Sequence, residues 1–321
     1  MCLLIVNQQG IKIRRDSNRF VFFNREEKKI NEIPARVLKG ILLFGNIQLT
    51  TQALTLVSDS GIALTYFTLQ GRIKGHFHPV YKNNLDVKFS QYEIITNKAI
   101  NLAYAKNIVI KKGEEYLRFI PVYGKNNAEV DSEGFRRTIK TGVQHANNAA
   151  SIPELLGIEG SMSAAYFREY AKLFKGALQF VKRSRRPPEN EVNSLLGFSY
   201  SIFYNLLFSV SLSTGFDPYM GFLHQPSYNR ASLCLDILEF YRASIDKLVV
   251  KMTNQKSITA DCFEYDEEKG FLLNELGYRK FFETWNPFIN GDDKTKGIIN
   301  SVTSTFEKLI RDVRAKQLPT F

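Results

Sequence analysis

Four side chains in the second half of the chain have the types and spacing to do chemistry together. Glu159 lies in GIEGSMSAAYF and His224 in GFLHQPSYNRASLCLDILEFYR, with Asp236 and Glu239 further along that same segment. Asp236 and Glu239 are three residues apart among Leu233, Leu235, Ile237, Leu238 and Phe240, so a helix there turns both carboxylates to one face and buries it. Buried carboxylates need a cation or hydrogen-bond donors. Two carboxylates and an imidazole suit a hard divalent ion, Mg2+ or Mn2+, better than structural zinc. Each residue also has a purely structural role open to it: His224 as a hydrogen-bonded core histidine, Asp236 in an ion pair with Arg230 or Arg242, Glu159 as an acid favoured by the dipole of a helix start. Spacing alone leaves both readings open.

Those residues have to be brought together by elements that the sequence also signals. Residues 1–85 carry short apolar and aromatic runs at 3–6, 19–23, 37–44 and 62–68, with a short helix from Thr51 that stops at Ser58-Asp59-Ser60-Gly61. After about Lys88 the texture turns to long segments at helical period, 91–112 and 129–148. Ser151-x-x-Glu154 is a capping box opening a helix through Phe174. Asn190 caps another helix that runs from Glu191 to Gly215, and a further one starts near Ser232 and reaches about Val250. The expected class is α+β: a small N-terminal β-rich domain over 1–85, followed by a larger all-α catalytic domain over 86–321.

With 43 Lys plus Arg against 32 Asp plus Glu, the formal net charge of +11 favours a polyanionic partner, nucleic acid first. Residues 1–85 hold 12 basic and 5 acidic residues, so positive charge is densest there. Lys182-Arg183-Ser184-Arg185-Arg186 puts four cations in five residues, either a solvated helix end or a phosphate contact. Cys2, Cys234 and Cys262 are odd in number and widely spaced, which argues against a disulfide framework and a zinc ribbon. Phosphate-binding loops, dinucleotide fingerprints and hydrolase elbows do not occur. The opening MCLLIVNQQG does not read as a signal peptide, so a cytoplasmic location is expected. The uncharged run 192–216 contains Asn193, Asn205 and several serines, which predicts a helix buried among helices rather than in lipid. Asp266-Glu267-Glu268, followed by Lys269-Gly270, reads as a solvated turn.

GIEGSMSAAYF, RRPPENEVNSLLGFSYSIFYNLL and GFDPYMGFLHQPSYNRASLCLDILEFYR, in this order and spacing, resemble the CRISPR-associated integrase and endonuclease family Cas1. ILLFGNIQLTTQAL and GIALTYFTLQGRIKG resemble that family's N-terminal domain, so the resemblance covers nearly the whole chain. It implies that Glu159, His224 and Glu239 are ligands of Mg2+ or Mn2+, with Asp236 at a supporting acidic position. The family's last ligand is often Asp, and Glu239 is a longer arm. Tyr166, Tyr204 and Arg242 fall near the implied site, where Arg242 would hold Asp236 or a phosphate, and Lys182, Arg183, Arg185 and Arg186 would contact DNA. The implied activity is insertion of short captured DNA (spacers) into a CRISPR repeat array by 3′-hydroxyl attack on a phosphodiester, with metal-dependent nuclease activity as related chemistry. Double-stranded DNA, the small protein Cas2 and a second copy of the chain, paired through the β domain, are the implied partners, with no membrane. Two rival readings are a non-catalytic nucleic-acid scaffold and a metal nuclease unrelated to CRISPR arrays.

Overall fold

Apolar runs with period-two alternation make the first part of the chain a pair of four-stranded sheets. A computed structural model describes residues 2–69, 71, 73–77, 85–184, 187–228, 230–292 and 296–320. The elements are β1 (Cys2–Val6), β2 (Lys12–Asp16), β3 (Arg19–Phe23), β4 (Lys29–Pro34), β5 (Leu38–Phe44), β6 (Gln48–Leu49), α1 (Thr51–Asp59), β7 (Ala63–Phe67) and β8 (Ile73–Phe77). One sheet has the order β1-β5-β7-β8, parallel except for the β7–β8 pair, and the other the order β4-β3-β2-β6. In β5, Ile41 and Leu43 point into a small core with Ile13, Phe20, Phe22 and Leu56. Leu42 and Phe44 point the other way, into the core of the helices. The β1-β5-β7 sheet is therefore covered on both faces, as parallel strands require.

The rest of the chain is α2 (Leu85–Thr96), α3 (Lys98–Tyr123), α4 (Ser132–Asn148), α5 (Ile152–Ala171), α6 (Glu191–Thr214), α7 (Ser232–Leu238), α8 (Arg242–Asn254), β9 (Phe263–Asp266), β10 (Gly270–Leu273), α9 (Glu275–Asn290) and α10 (Ile298–Ala315). The predicted caps are in place: Ser151 Oγ accepts from Glu154 N at 3.4 Å, Glu154 Oε2 accepts from Ala150 N at 2.8 Å, and Asn190 Oδ1 accepts from Asn193 N at 2.8 Å. Gly215 ends α6 at φ 92°, a left-handed conformation that favours glycine. By length and composition α6 is apolar enough to cross a membrane, yet it is mostly buried inside the protein, packed on α7, α8, α10 and β7.

Three sequence expectations are corrected, and two strands are added. The 91–112 segment is two helices, because Asn97 caps a new one by accepting from Ala99 N and Ile100 N. The 232–250 helix is broken at 239–241 into α7 and α8. The helical part is not all-α: β9 and β10 form a hairpin whose turn is the acidic cluster, with Asp266 Oδ1 accepting from Glu268 N and Lys269 N. Strands β2 and β4 were hidden by their charged outward residues, Lys12, Arg14 and Asp16 in the one and Lys29 and Glu32 in the other.

The sheet and the helices are clasped at one point of particular economy. Asn290, the last residue of α9, gives both ends of its amide to β1: Leu3 N donates to its Oδ1 at 2.7 Å and its Nδ2 donates to Leu3 O at 2.9 Å. Phe44 stacks on Phe67 at 4.5 Å and meets Phe282 of α9 at 4.9 Å. Asn290→Ala removes two part-buried hydrogen bonds and should lower stability by about 1–3 kcal/mol, read as a shift of the urea midpoint with unchanged slope.

Candidate active site

Three carboxylates and a histidine are positioned by elements far apart in sequence, and a lysine bridges two of the carboxylates. Lys112 stands on the buried face of α3 with Ile108 and Tyr116, one helical turn to either side. Its Nζ contacts Glu159 Oε1 of α5 and lies 2.6 Å from Glu239 Oε2. Glu159 is the eighth residue of α5, beyond the first turn, so the helix dipole does not account for it. Ser163 Oγ, four residues on, also donates to Glu159 Oε1 at 2.8 Å. Among the described residues both of Glu159's hydrogen bonds use Oε1, and its side chain is 23% exposed. Glu239 caps the end of α7 and is almost fully buried; Arg242 Nε lies 2.8 Å from each of its oxygens. Burial opposes ionisation of Glu239, but Arg242 and Lys112 outweigh it and hold the pKa down to about 2.

Asp236 organises the loop that carries His224. Its Oδ2 accepts from Phe222 N at 2.6 Å and Leu223 N at 3.0 Å, and its Oδ1 from His224 N at 3.0 Å. The same Oδ1 is 2.7 Å from His224 Nδ1. A Cβ on Gly221 would stand 2.8 Å from Asp236 Oδ2, so glycine is what lets the loop wrap the carboxylate. Burial lowers the His224 pKa, but the hydrogen bond and charge of Asp236, with Glu239 behind it, leave it above the ordinary value. With Nδ1–H directed at Asp236, Nε2 carries the lone pair and the ring, a quarter exposed, can offer it outward. Tyr204 OH accepts from Ala231 N at 2.8 Å and so anchors the far end of this loop.

Beneath Glu239 lies a floor of tyrosines around Asp246. Tyr166 OH donates to Asp246 Oδ2 at 2.7 Å, Tyr200 OH donates to Oδ1, and Tyr170 OH donates to the Asp246 carbonyl at 3.1 Å. Arg242 packs over the Tyr200 ring, 4.7 Å from its centroid, and thereby joins Glu239 to this layer. The Tyr116 and Tyr166 rings stack at 3.8 Å. Burial, followed by the charge of Asp246, raises the pKa of Tyr166, Tyr170 and Tyr200 well above the usual range.

The profile of the family described as CRISPR associated protein Cas1 matches residues 4–287. The chain belongs to the Cas1 family. A "CRISPR-associated endonuclease Cas1 1" of Thermodesulfovibrio yellowstonii is 29% identical over 294 residues, 90% of this chain and 92% of its own. Among solved structures, a casposase bound to integration product has TM-score 0.83 and 20% identity, covering 99% of this chain and 92% of its own. A Cas6-RT-Cas1–Cas2 complex matches with TM-score 0.80 and 23% identity, covering 98% of this chain and 35% of its own. At such identities these structures speak for the fold, which this Cas1 chain shares along nearly its full length.

Within this Cas1 fold, Glu159 and Glu239 meet at Lys112, and His224 is joined to Asp236. Among the described residues no group of three Asp, Glu, His or Cys side chains is drawn up as a metal cage. Arg242 does not hold Asp236, as the sequence suggested, but Glu239; Asp236 is instead satisfied by backbone amides, and Arg230 donates to Gln225 O. Tyr166 is fully buried on Asp246 and Tyr204 is a loop anchor. In the basic run, Lys182 is exposed, while Arg183 is used internally: it bonds Asn193 Oδ1 at 2.9 Å and Ser184 O, and packs over Tyr200. Arg185 and Arg186 lie outside the described residues. Lys112, Asp246 and Tyr200 were missed. The legible signal was a charge on an apolar stripe, Lys112 with Ile108 and Tyr116 in α3 and Asp246 with Val249 and Val250 in α8.

Two outcomes follow from this layer. Burial pushes Asp246 up to about 6 against the hydrogen bonds of Tyr200 and Tyr166, from an ordinary 3.8. The folded state therefore binds more protons than the unfolded one between these values, and this group's stabilisation is lost as pH rises through about 6. Asp246→Asn should flatten the fall of Tm between pH 4 and 7 relative to wild type. Arg183→Ala should cost stability, by about 1–3 kcal/mol for lost charged hydrogen bonds, whereas Lys182→Ala, whose ion pair to Glu189 is exposed, should leave Tm unchanged; thermal denaturation of the two variants separates them.

Proposed function

We propose that the chain is a metal-dependent DNA integrase and endonuclease that inserts short captured duplexes into a CRISPR repeat array, with Glu159, His224 and Glu239 holding Mg2+ or Mn2+ and Asp236 setting His224. The observation that carries this reading is the convergence of Glu159 and Glu239 on one cation position, with His224 charge-coupled to Glu239 and held by Asp236 so that Nε2 is available. Two carboxylates and an imidazole are a donor set for Mg2+ or Mn2+, and the Oε2 atom of Glu159 and Nε2 of His224 remain to complete it. A bound ion would polarise a scissile phosphate and stabilise the leaving oxygen.

The chain's own groups do the positioning. Asp236 fixes the imidazole tautomer and orientation. Arg242 and Lys112 keep Glu239 ionised. DNA would approach where Glu159 and His224 are partly exposed, and Lys182, with Arg185 and Arg186, would contribute sequence-tolerant phosphate contacts. The catalytic unit is residues 86–321 and the β-rich unit, residues 1–85, mediates a homodimer; the Cas1–Cas2 complex among the structural neighbours supports Cas2 as a partner. The integration product bound by the casposase supports strand transfer as the reaction class. A protein acting on CRISPR DNA would work in the cytoplasm.

The test is joining of a labelled short duplex to a supercoiled plasmid carrying a CRISPR array, with and without chelator. Glu159→Gln and His224→Ala should each lower joining and Mn2+-dependent cleavage at least a hundredfold, with DNA affinity within about threefold of wild type. Near-normal joining by His224→Ala, still dependent on metal, would sink the assignment. Glu239→Ala is a poorer probe, because it strands Lys112 and Arg242 in the interior at a cost of about 3–5 kcal/mol. Sedimentation of the full chain tests the dimer; the isolated 1–85 segment would bare Leu3, Leu42, Phe44 and Phe67, which the helices cover.

A further inference from the structure

The most unusual group in the molecule is Lys112. Its side chain is 4% exposed, it comes from the middle of a 26-residue helix, and its ammonium bridges two carboxylates that belong to different elements. This ammonium occupies the point at which Glu159 and Glu239 converge. Glu239 has a second cation in Arg242, but Glu159 has only Ser163 besides Lys112 among the described residues. Two carboxylates facing one another without a cation would repel strongly in this surrounding, so the metal-free protein needs the lysine to keep them together.

We propose that Lys112 is an internal stand-in cation: its ammonium closes the Glu159–Glu239 pair in the metal-free protein and must be displaced from that pair when a divalent ion binds, so that Lys112 sets the metal affinity of the site. This rests on the metal site proposed above. An ammonium at hydrogen-bond distance from both carboxylates and a divalent ion held by the same two carboxylates would be like charges within a few ångströms of each other, so the two occupancies exclude one another. The route out is on the side of Glu159, the more exposed of the two carboxylates. Lysine suits this role better than arginine: it is a single point charge on a flexible stem, whereas Arg242 grips Glu239 and is pinned on Tyr200.

The experiment measures Mn2+ binding by electron paramagnetic resonance and calorimetry on the full chain, together with Tm with and without Mn2+. Lys112→Met should bind Mn2+ at least tenfold more tightly than wild type, and Lys112→Gln, which keeps a hydrogen-bond donor without the charge, should do the same. Both should have a lower Tm than wild type without metal and a larger rise in Tm on adding Mn2+. Lys111→Met, one residue along and paired with Glu114 at the surface, controls for net charge and should change neither readout. Variants that fold only in the presence of Mn2+ would also support the exchange. Unchanged or weaker Mn2+ binding by folded variants would overturn it, as would failure of both to fold even with Mn2+, which would make the ammonium a structural group that no ion replaces. Glu159→Gln separates this inference from the site itself: if that change leaves Mn2+ binding intact, the ion lies elsewhere and the site assignment fails, whereas lost binding in Glu159→Gln with unchanged binding in Lys112→Met refutes only the role of the lysine.

Discussion

Lys112 comes from the middle of α3, Glu159 from the third turn of α5 and Glu239 from the break after α7, and their charges can be buried together only because each has another within reach. Taking an ammonium or a carboxylate out of water is costly, and removing one partner of such a cluster leaves the others uncompensated. The packing of α3 against α5 and α8 is therefore constrained at one point to within hydrogen-bond distance, while apolar contacts elsewhere along the same helices tolerate more adjustment. A site that depends on ångström-level placement gains from having its scaffold fixed by the same groups.

Behind that cluster the structure repeats the principle with neutral donors. Asp246 has three tyrosine hydroxyls around its carboxylate and carbonyl, and Arg242 connects it to Glu239 across the face of Tyr200. The tyrosines supply apolar rings to the core and one hydroxyl each to the anion, so the layer is both packed and hydrogen-bonded. The two acids of the D-x-x-E segment, one inside α7 and one at its end, serve different partners. Asp236 holds the His224 loop, and Glu239 holds Lys112 and Arg242.

How much of this was legible depended on whether the determining contacts were local. Caps at Ser151 and Asn190, the stop at Gly215 and the apolar run of β5 are short-range signals and are found where the sequence puts them. The break at 239–241 carries no glycine or proline, and no local pattern distinguishes it from a continuing helix; it begins at Glu239, which lies between cations supplied by α3 and α8. Asp236 was recognised as an acid that needed donors, but the donors are backbone amides of a loop, which side-chain spacing cannot reveal. Arg183 looked like one of four surface cations because its acceptors, Asn193 and Ser184, are neutral and leave no charge pattern.

The clasp between Asn290 and Leu3 joins residues 287 positions apart. A ribosome adding roughly 5–20 residues per second needs on the order of ten to fifty seconds after making β7 before α9 emerges. Until α9 is made, Phe44 lacks Phe282 and the edge of β1 lacks Asn290, although α6 is already available to pack on β7. Birth order thus makes the N-terminal sheet an early-formed but late-completed structure, finished only by the closure of long-range contacts.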